Sequence, residues 1–337
     1  MADVMDDSSD LAPLKPPGSE VDANRWYPTA RDEPATAYLS QAFPELLEWQ
    51  VTRLFGAAYA YRAANGKTLV LKFYSLKSKV FVEHYAARER KAIDRARRVI
   101  GDNAVEVLDQ FRGVLVMPYV PGLSLQSAIA VRRNHAGTLS TGLIAIARLL
   151  AELHAGTLQL EPRPDFTPAA AYGRKVVQNL AEFGVLEGDP LTSRALESLI
   201  ARWEARSYMH DFAPVFVHGD VTTGNFLFPA EAKVVALDWE RAQTADPAQD
   251  LGRMAAEVTH SIVQHGGSVA EAIALIDDFT AAYVAAIPAA WSSQALVRRA
   301  QFYRAISSLR IARNPWSPRE QRSALVGQAF ALLSAVD

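Results

Sequence analysis

The sequence contains no cysteine among its 337 residues. A chain without cysteine cannot form disulfide bonds, and it offers neither a thiolate metal site nor a cysteine nucleophile. The absence fits a reducing compartment, and we expect a cytoplasmic protein.

The sequence also lacks a strong charge of either sign and a long apolar run. Its formal net charge of -2 gives no indication of nucleic-acid binding. Because no run of about 18 apolar residues occurs, no membrane span is expected. The start of the chain, MADVMDDSSDLAPLKPPGSE, has neither the basic nor the apolar region of a signal peptide. Since it is acidic and rich in Pro and Ser, we expect residues 1–35 to form a disordered tail. The sequence does not indicate an oligomeric state.

Two regions with different patterns follow this segment. Up to about residue 118, strand-like runs such as LVLKFY accompany one helix-like segment, KVFVEHYAARERKAIDRARRVI, and Asn65-Gly66 marks a hairpin turn. Further on, apolar residues recur three and four apart, as in TGLIAIARLLAELHAG, which is typical of helices. The sequence therefore predicts an α+β chain, with a small antiparallel β-rich region and one helix at 36–118 and a larger, mainly helical region at 119–337.

A polar loop separates two strand-like runs in VFVHGDVTTGNFLF, residues 215–228. Asp220 and Asn225 lie five apart in this loop, and Asp238 follows the apolar run VVAL. Two carboxylates and an amide near strand ends are oxygen donors that suit a hard divalent cation such as Mg²⁺. Turn chemistry also explains Asp220 and Asn225, because both residue types are common in turns. The pair alone leaves both interpretations open.

A lysine lies in the middle of the apolar run LVLKFY. Strand alternation places Lys72 on one face with Val70 and Tyr74. Its charge is costly there unless it has a partner, and Glu89 on the following helix would supply one. The alternative is an exposed edge strand, which often carries lysine.

Several motifs in a fixed order resemble the aminoglycoside phosphotransferase and choline kinase group of protein-kinase-like enzymes. They are LVLK, the helix Glu, LVMPYVPG, HGDVTTGN, LDWE and DPAQDLG, over most of residues 45–260. The resemblance implies a bilobal protein-kinase-like fold, with a nucleotide-binding N-lobe at 36–118 and a C-lobe at 119–337 that holds the catalytic loop and the acceptor-binding helices. The implied reaction is Mg²⁺-dependent phosphoryl transfer from ATP or GTP to a hydroxyl of a small molecule.

The resemblance implies roles for the residues around the polar loop. Asp220 would orient the acceptor hydroxyl and take its proton, while Asn225 and Asp238 would bind the metal. His218 would brace the loop and would not act as a base. Asp250 would tie the loop down through hydrogen bonds to its backbone.

The resemblance assigns nucleotide binding to residues of the first region. Lys72 would hold the α- and β-phosphates, and Glu89, rather than Glu83 near the helix start, would fix its ammonium group. Adenine contacts are implied for four further residues: Val70, Met117, the Pro118 carbonyl and the Val120 N–H.

The sequence departs from the pattern of protein kinases at three places. The expected glycine-rich loop reads LFGAAYAY, with Gly56 as its single glycine, which keeps open a nucleotide-binding pseudokinase or regulatory protein without turnover. Thr222 stands where protein kinases have Lys, and only seven residues separate Asp238 from Asp246. These two departures favour a small-molecule acceptor over a protein acceptor.

The charge of the acceptor stays open at this point. The helices after residue 250 would form its pocket, and they carry both acidic and basic side chains as well as tryptophans: Glu257, Asp277, Asp278, Arg298, Arg299, Arg304, Arg310, Arg313, Trp291 and Trp316.

Overall fold

The computed structural model describes residues 14–17, 21–23, 25–75, 82–133, 136–158, 164–186, 190–315 and 317–335. Trp316 lies outside these residues. The chain divides into two compact units, Met1–Pro121 and Gly122–Asp337. The sequence boundary expected after residue 118 lies three residues before this division.

The described part of the first unit contains one antiparallel sheet. Its strands are β1 (Tyr27–Pro28), β2 (Gln50–Phe55), β3 (Ala58–Arg62), β4 (Thr68–Phe73), β5 (Asp109–Phe111) and β6 (Val114–Pro118). They lie in the order β1-β2-β3-β4-β6-β5. The α-helices among its described residues are α1 (Pro34–Ala42) and α2 (Val82–Ile100), and a short 3-10 helix, Gly101–Asn103, follows α2.

Alternation along β4 builds both faces of this sheet. Leu69, Leu71 and Phe73 are buried in the hydrophobic core, while the residues between them are half-buried. Polar residues can therefore sit on the second face without entering the core. The apolar stripe of α2 packs near β6. Its charged residues are exposed or half-buried, except for Glu89, which is buried.

Part of the segment expected to be a disordered tail is ordered, which corrects the prediction for residues 1–35. Leu14 and Val21 are buried in the core of the first unit, and the Leu14 N–H donates to the Arg112 carbonyl at 3.0 Å. Strand β1 pairs with β2, and Glu33 caps the N-terminus of α1. The composition of a segment averages over its residues, so it does not detect isolated apolar side chains that fill a core elsewhere.

The second unit is mainly helical. Its described helices are α3 (Leu125–Ala130), α4 (Ala136–Gly156), α5 (Thr167–Glu182), α6 (Pro190–Glu204), α7 (Ala248–Gln264), α8 (Val269–Ala286), α9 (Ser293–Ala312) and α10 (Arg319–Ser334). Its strands are β7 (Leu123–Ser124), β8 (Val215–Val217), β9 (Phe226–Ala230), β10 (Lys233–Ala236) and β11 (Gln243–Ala245). They form a sheet in the order β10-β9-β7 and the pair β11-β8.

Helix α4 has a stretch that is long and apolar enough to cross a membrane by length and composition. This stretch, Leu139–Gly156, has 56% of its residues buried inside the protein, and α4 packs against α8, β8 and β10. It also contains Arg148 and Glu152, so it is not an uninterrupted apolar run. These contacts are those of a core helix, and the absence of a membrane span stays a prediction.

Helices α7 and α9 approach each other closely at Gly252. A Cβ atom added there would lie 2.4 Å from the Ala300 carbonyl oxygen and 2.6 Å from the Arg304 backbone nitrogen. Both atoms belong to backbone and cannot move aside cheaply. The absence of a side chain at residue 252 therefore sets the distance between the two helices.

We expect Gly252→Ala to destabilise the protein because it forces α7 and α9 apart. The expected loss is about 1–3 kcal/mol in the free energy of unfolding, the usual cost of overpacking. Denaturant unfolding followed by circular dichroism measures it.

Gly327→Ala is the matched control. Gly327 lies in α10 with nothing within 4 Å of an added Cβ. Alanine there should leave the stability unchanged or raise it by up to about 1 kcal/mol, since alanine is the better helix former. Equal effects of the two substitutions would contradict the packing explanation.

Candidate active site

In the first unit, β4 carries the lysine singled out from the sequence. Lys72 Nζ lies 2.7 Å from Glu89 Oε2, and the two side chains are 13% and 1% exposed. The ion pair expected from the sequence is present. The edge-strand alternative is wrong, because β4 pairs with β3 on one side and with β6 on the other.

Glu89 has a second partner that sequence reasoning missed. The Tyr74 hydroxyl donates to the same oxygen, Glu89 Oε2, that receives Lys72. Tyr74 is buried. The sequence contained a signal for this contact, because strand alternation places Tyr74 on the same face as Lys72. A buried carboxylate with two donors is held in one orientation.

The residues expected around an adenine ring lie close together in the sheet. Val70 pairs directly with Met117 across β4 and β6, and Met117 is buried. Pro118 and Val120 follow at the half-buried end of β6, where the Tyr119 N–H donates to the Thr68 carbonyl at 3.2 Å. This arrangement brings the four expected adenine contacts to one end of two neighbouring strands.

The segment that replaces a glycine-rich loop is a short turn. Residues 56 and 57 connect β2 to β3, and Gly56 has a φ of +54°. The Arg53 guanidinium donates to the Gly56 carbonyl through Nε at 3.3 Å and Nη2 at 3.1 Å. Phe55 beside it is 89% exposed. The side chain of Arg53 thus supports the turn that several glycines would otherwise form.

In the second unit, the polar residues lie in the HGD loop, residues 218–225, between β8 and β9. Asp250 of α7 holds its start: the carboxylate accepts from the His218 N–H at 2.8 Å and from the Gly219 N–H at 2.9 Å. His154 Nε2 lies 3.2 Å from the same carboxylate. Burial alone would raise the pKa of Asp250, but the hydrogen bond and charge of His154 outweigh it and hold the pKa below its usual value.

Gly219 is required by the path of this loop. Its φ is +74°, and a Cβ atom would lie 2.3 Å from the Arg241 carbonyl oxygen. Only glycine combines that backbone conformation with such a close approach.

His218 uses both ring nitrogens within the protein. Nε2 lies 2.9 Å from the Leu237 carbonyl, and Nδ1 accepts from the Asp220 N–H at 3.3 Å. Burial lowers the pKa of His218, against the pull of Asp250 and other carboxylates, which keeps the ring neutral. A neutral ring with both nitrogens engaged braces the backbone, and it has no free position for proton transfer.

Two hydrogen bonds bring the remaining polar residues of the site together. Asn225 Nδ2 donates to the Asp220 carbonyl at 2.9 Å, and the Leu237 N–H donates to the Asn225 carbonyl at 2.9 Å. The first bond leaves Asn225 Oδ1 as an acceptor, and the second puts Asp238 beside Asn225. The Thr222 N–H also donates to the Asp220 carbonyl at 2.8 Å. Asp220 is therefore part of a turn, and this role is compatible with a role in the site.

The oxygen donors of this region suit a divalent cation. Carboxylate oxygens of Asp238 and Glu240 lie within 4.8 Å of each other, and Asn225 Oδ1 is a third oxygen donor. Asp238 has a φ of +58°, which is unusual for a residue other than glycine. Hard oxygen donors are the ligands of Mg²⁺. Sequence reasoning missed Glu240, although it stands two residues after Asp238 in LDWE.

The Asp220 carboxylate contacts two arginines that sequence reasoning did not single out. Arg253 Nη2 of α7 donates to Asp220 Oδ1, and Arg241 Nε lies 3.6 Å from Asp220 Oδ2. Arg253 is buried and Arg241 is half exposed. The available signal was helix spacing, since Arg253 follows the loop-binding Asp250 by three residues.

The charged residues expected in an acceptor pocket are divided among several contacts. Glu257 pairs with Arg310, and Arg304 Nη2 donates to the Thr259 hydroxyl at 3.2 Å. Arg299 is buried against Asp246, with Nε 2.8 Å from its carboxylate. The other members named from the sequence are exposed or half-buried: Asp277, Asp278, Arg298, Arg313 and Trp291.

The segment after Asp238 is short and ordered. Strand β11 follows it and pairs with β8, with Gln243 opposite Val217. Asp246 then accepts from the Ala248 N–H at 3.0 Å, at the start of α7. The seven residues between Asp238 and Asp246 are therefore used by one turn and one strand.

Residues 56–303 match the family model described as the phosphotransferase enzyme family, abbreviated APH. The match covers 248 of the 337 residues and includes Lys72, Glu89, the HGD loop, Asp238 and Asp250. The chain belongs to this family. The resemblance seen in the sequence motifs is thereby confirmed, and the protein is a phosphotransferase by family.

Three solved structures are similar to this phosphotransferase. Aminoglycoside phosphotransferase APH(2'')-Ib bound to ADP has a TM-score of 0.58 at 12% identity, covering 90% of this chain and 99% of that one. Ethanolamine kinase from Plasmodium vivax has a TM-score of 0.57 at 14% identity, covering 90% of this chain and 85% of that one. Choline kinase LicA from Streptococcus pneumoniae has a TM-score of 0.55 at 18% identity, covering 91% of this chain and 100% of that one.

At these identities the likeness shows the fold. The α+β kinase-like fold predicted from the sequence is confirmed, with an antiparallel sheet in the first unit and a mainly helical second unit. A search of curated protein sequences finds no match.

We expect Lys72 and Glu89 of this phosphotransferase to be energetically coupled. Lys72→Met leaves Glu89 buried with one donor fewer, and Glu89→Gln leaves the lysine without its charge partner. The double substitution should therefore cost less than the sum of the single ones, by about 0.5–3 kcal/mol in the free energy of unfolding. Urea unfolding of the four proteins measures this coupling. Additive losses would mean that the two side chains do not interact in solution.

Proposed function

We propose that this phosphotransferase moves the γ-phosphate of ATP or GTP to a hydroxyl group of a small molecule, with Mg²⁺ as cofactor. In the proposed step the acceptor oxygen bonds to the γ-phosphorus, and the bond from that phosphorus to the β,γ-bridging oxygen breaks. The nucleoside diphosphate leaves, and the hydroxyl proton passes to the Asp220 carboxylate. Such a reaction depends mainly on positioning and charge neutralisation.

One observation carries the proposal: hydrogen bonds through Asn225 bring Asp220 and Asp238 together. Asp220 supplies a carboxylate that can orient a hydroxyl and accept its proton. Asn225 and Asp238 supply oxygen donors for the metal, and Glu240 adds a further carboxylate close to Asp238. Mg²⁺, when bound, would neutralise charge on the phosphate oxygens.

The first unit supports nucleotide binding in this proposal. Lys72, oriented by Glu89 at 2.7 Å, would hold the α- and β-phosphates. Val70, Met117, Pro118 and Val120 would contact the base. The ADP found in the structure of APH(2'')-Ib supports a nucleotide substrate for this chain as well.

The segment between Asp238 and α7 supports a small acceptor. Protein acceptors need a longer segment after the metal-binding residue, and here β11 and the start of α7 occupy all of it. We propose a cytoplasmic enzyme that acts on a free metabolite or antibiotic and binds neither nucleic acid nor membrane.

The charge of the acceptor is not decided by the two residues that favoured opposite answers. Glu257 would favour a cationic acceptor and Arg310 an anionic one, yet they pair with each other. A panel of aminoglycosides, aminoalcohols, sugars, nucleosides and hydroxy acids, assayed for release of nucleoside diphosphate, identifies the acceptor class. Labelled phosphate transferred to protein acceptors with no small-molecule product would overturn the small-acceptor proposal.

A nucleotide-binding protein without turnover is the second candidate, because the turn at Gly56 offers few backbone N–H groups for phosphates. Binding of ATP without release of diphosphate for any acceptor on the panel would favour it. Turnover with one acceptor excludes it.

We expect Asp220→Asn to lower kcat by roughly 10²-fold or more, because the amide cannot accept the hydroxyl proton. Nucleotide binding, measured by calorimetry, should stay close to that of the wild type. Glu231→Gln, at an exposed position after β9, is the control and should keep full turnover. A wild-type kcat for Asp220→Asn with the true acceptor would rule out its proposed role.

We expect removal of divalent metal to abolish turnover. Excess EDTA should stop diphosphate release, and Mg²⁺ or Mn²⁺ should restore it, since the proposed ligands are oxygen donors. Asp238→Ala should weaken ATP binding in the presence of Mg²⁺ and have little effect on binding without metal. Full activity in EDTA is the result that would exclude the metal from the mechanism.

A further inference from the structure

Helix α7 presents three charged residues on one stripe: Asp250, Arg253 and Glu257. They stand at i, i+3 and i+7, which lie on the same side of a helix. Asp250 binds the backbone N–H groups at the start of the HGD loop. Sequence reasoning gave no role to Arg253, the next residue of the stripe.

Arg253 contacts two consecutive residues of the HGD loop at once. Its Nη1 donates to the Gly219 carbonyl at 2.6 Å, and its Nη2 donates to Asp220 Oδ1. A planar guanidinium joins a carbonyl and a carboxylate through two donors in a fixed fork, whereas the donors of a lysine ammonium rotate and do not set that geometry. The contact therefore fixes the side-chain torsions of Asp220 relative to its own backbone.

Arg241, the second arginine near Asp220, does not hold the Asp220 carboxylate in the same way. Arg241 is 51% exposed, and its Nε lies 3.6 Å from Asp220 Oδ2, beyond hydrogen-bond distance. An exposed pair of this kind contributes little and is weakened further by salt. Arg253 is therefore the arginine that fixes the orientation of the Asp220 carboxylate.

Because the Arg253 side chain is buried, its charge needs a hydrogen-bonded anion as a partner. The side chain is 8% exposed, and a buried cation is costly without a hydrogen-bonded anion. Burial lowers the pKa of Arg253 and Arg310 adds to this, while Asp220 and Glu257 act in the opposite direction. Arginine stays charged at physiological pH in spite of such shifts.

The packing of α7 on α9 supports the position of Arg253. Glu257, one helical turn after it, pairs with Arg310 of α9, and Gly252 lets the two helices meet. Arg253 thus projects from a helix that is fixed on both sides, by the HGD loop and by α9. A rigid support of this kind is what a precisely oriented side chain needs.

We propose that Arg253 is a positioning residue that holds the Asp220 carboxylate through Oδ1 and leaves Oδ2 to receive the proton of the acceptor hydroxyl. The inference rests on the proposed function, because it concerns how Asp220 meets the acceptor. Arg253 touches neither nucleotide nor acceptor in this account, and it acts through Asp220 alone.

The test compares Arg253→Met with Asp220→Asn and with the double substitution, using Mg²⁺-dependent diphosphate release with the acceptor found on the panel, or with water. Arg253→Met should lower kcat by roughly 10- to 100-fold, the scale of a misplaced group, with little change in the KM for ATP. In the Asp220→Asn background, Arg253→Met should lower kcat hardly any further, since its effect passes through Asp220.

Arg132→Met is the matched control for the loss of a buried arginine. Arg132 is 5% exposed, and its Nε lies 2.7 Å from Glu271, with backbone carbonyls as further partners. It lies on the turn after α3, and its hydrogen bonds reach Glu271 of α8 and the His265 carbonyl at the far end of α7, not the HGD loop. Its substitution should reduce stability while the kcat of the folded protein stays at the wild-type value.

The results separate the two proposals. A wild-type kcat for Asp220→Asn defeats the proposed function. An impaired Asp220→Asn with a wild-type kcat for Arg253→Met, or with additive losses in the double substitution, overturns the role of Arg253. If Arg253→Met does not fold, Arg253→Lys is measured in its place and judged by the same outcomes, because lysine keeps the charge and loses the fixed planar fork.

Discussion

The second unit depends on one buried carboxylate, that of Asp250. It accepts two backbone N–H groups from the HGD loop and is bonded to a histidine that is itself bonded to Tyr283, at 2.7 Å. Every partner is buried, so no water can replace a lost hydrogen bond. The loop can therefore keep only the backbone path in which these bonds are made. That path gives His218, Asp220 and Asn225 their positions.

Helix α7 thus serves both the core and the site. Its apolar residues pack in the interior, Asp250 and Arg253 bind the HGD loop, and Gly252 brings the helix against α9. A change in the packing of these helices would move Arg253 and with it Asp220. The stability of this unit and the geometry of its site are therefore coupled through one helix, and substitutions at the α7–α9 contact should alter both.

Much of the fold and part of the site were predictable from local patterns. Alternation in LVLKFY identified the face of Lys72, and the order of the motifs identified the family. Three site contacts were not predicted: Tyr74 with Glu89, Arg253 with Asp220, and the oxygens of Asp238 with Glu240. The first two depend on the angle at which two elements meet, so spacing in one element indicates the face of a side chain but not its partner. Asp238 and Glu240 lie two residues apart, and their approach depends on the local backbone path, in which Asp238 has a positive φ. The burial of Leu14 and Val21 was missed because the core that they enter is formed by residues distant in the sequence, such as those of β4 and β6.

The pairing of β11 with β8 has a consequence for control of the enzyme. Protein kinases are switched by a segment after the metal-binding Asp, which becomes ordered when it is phosphorylated. Here the corresponding residues form a strand bonded to β8, and Asp246 at their end is bound to Arg299 in the interior. In this arrangement the segment is already ordered by contacts with β8 and with the interior. The transfer proposed above would then need no separate ordering step in this segment before turnover.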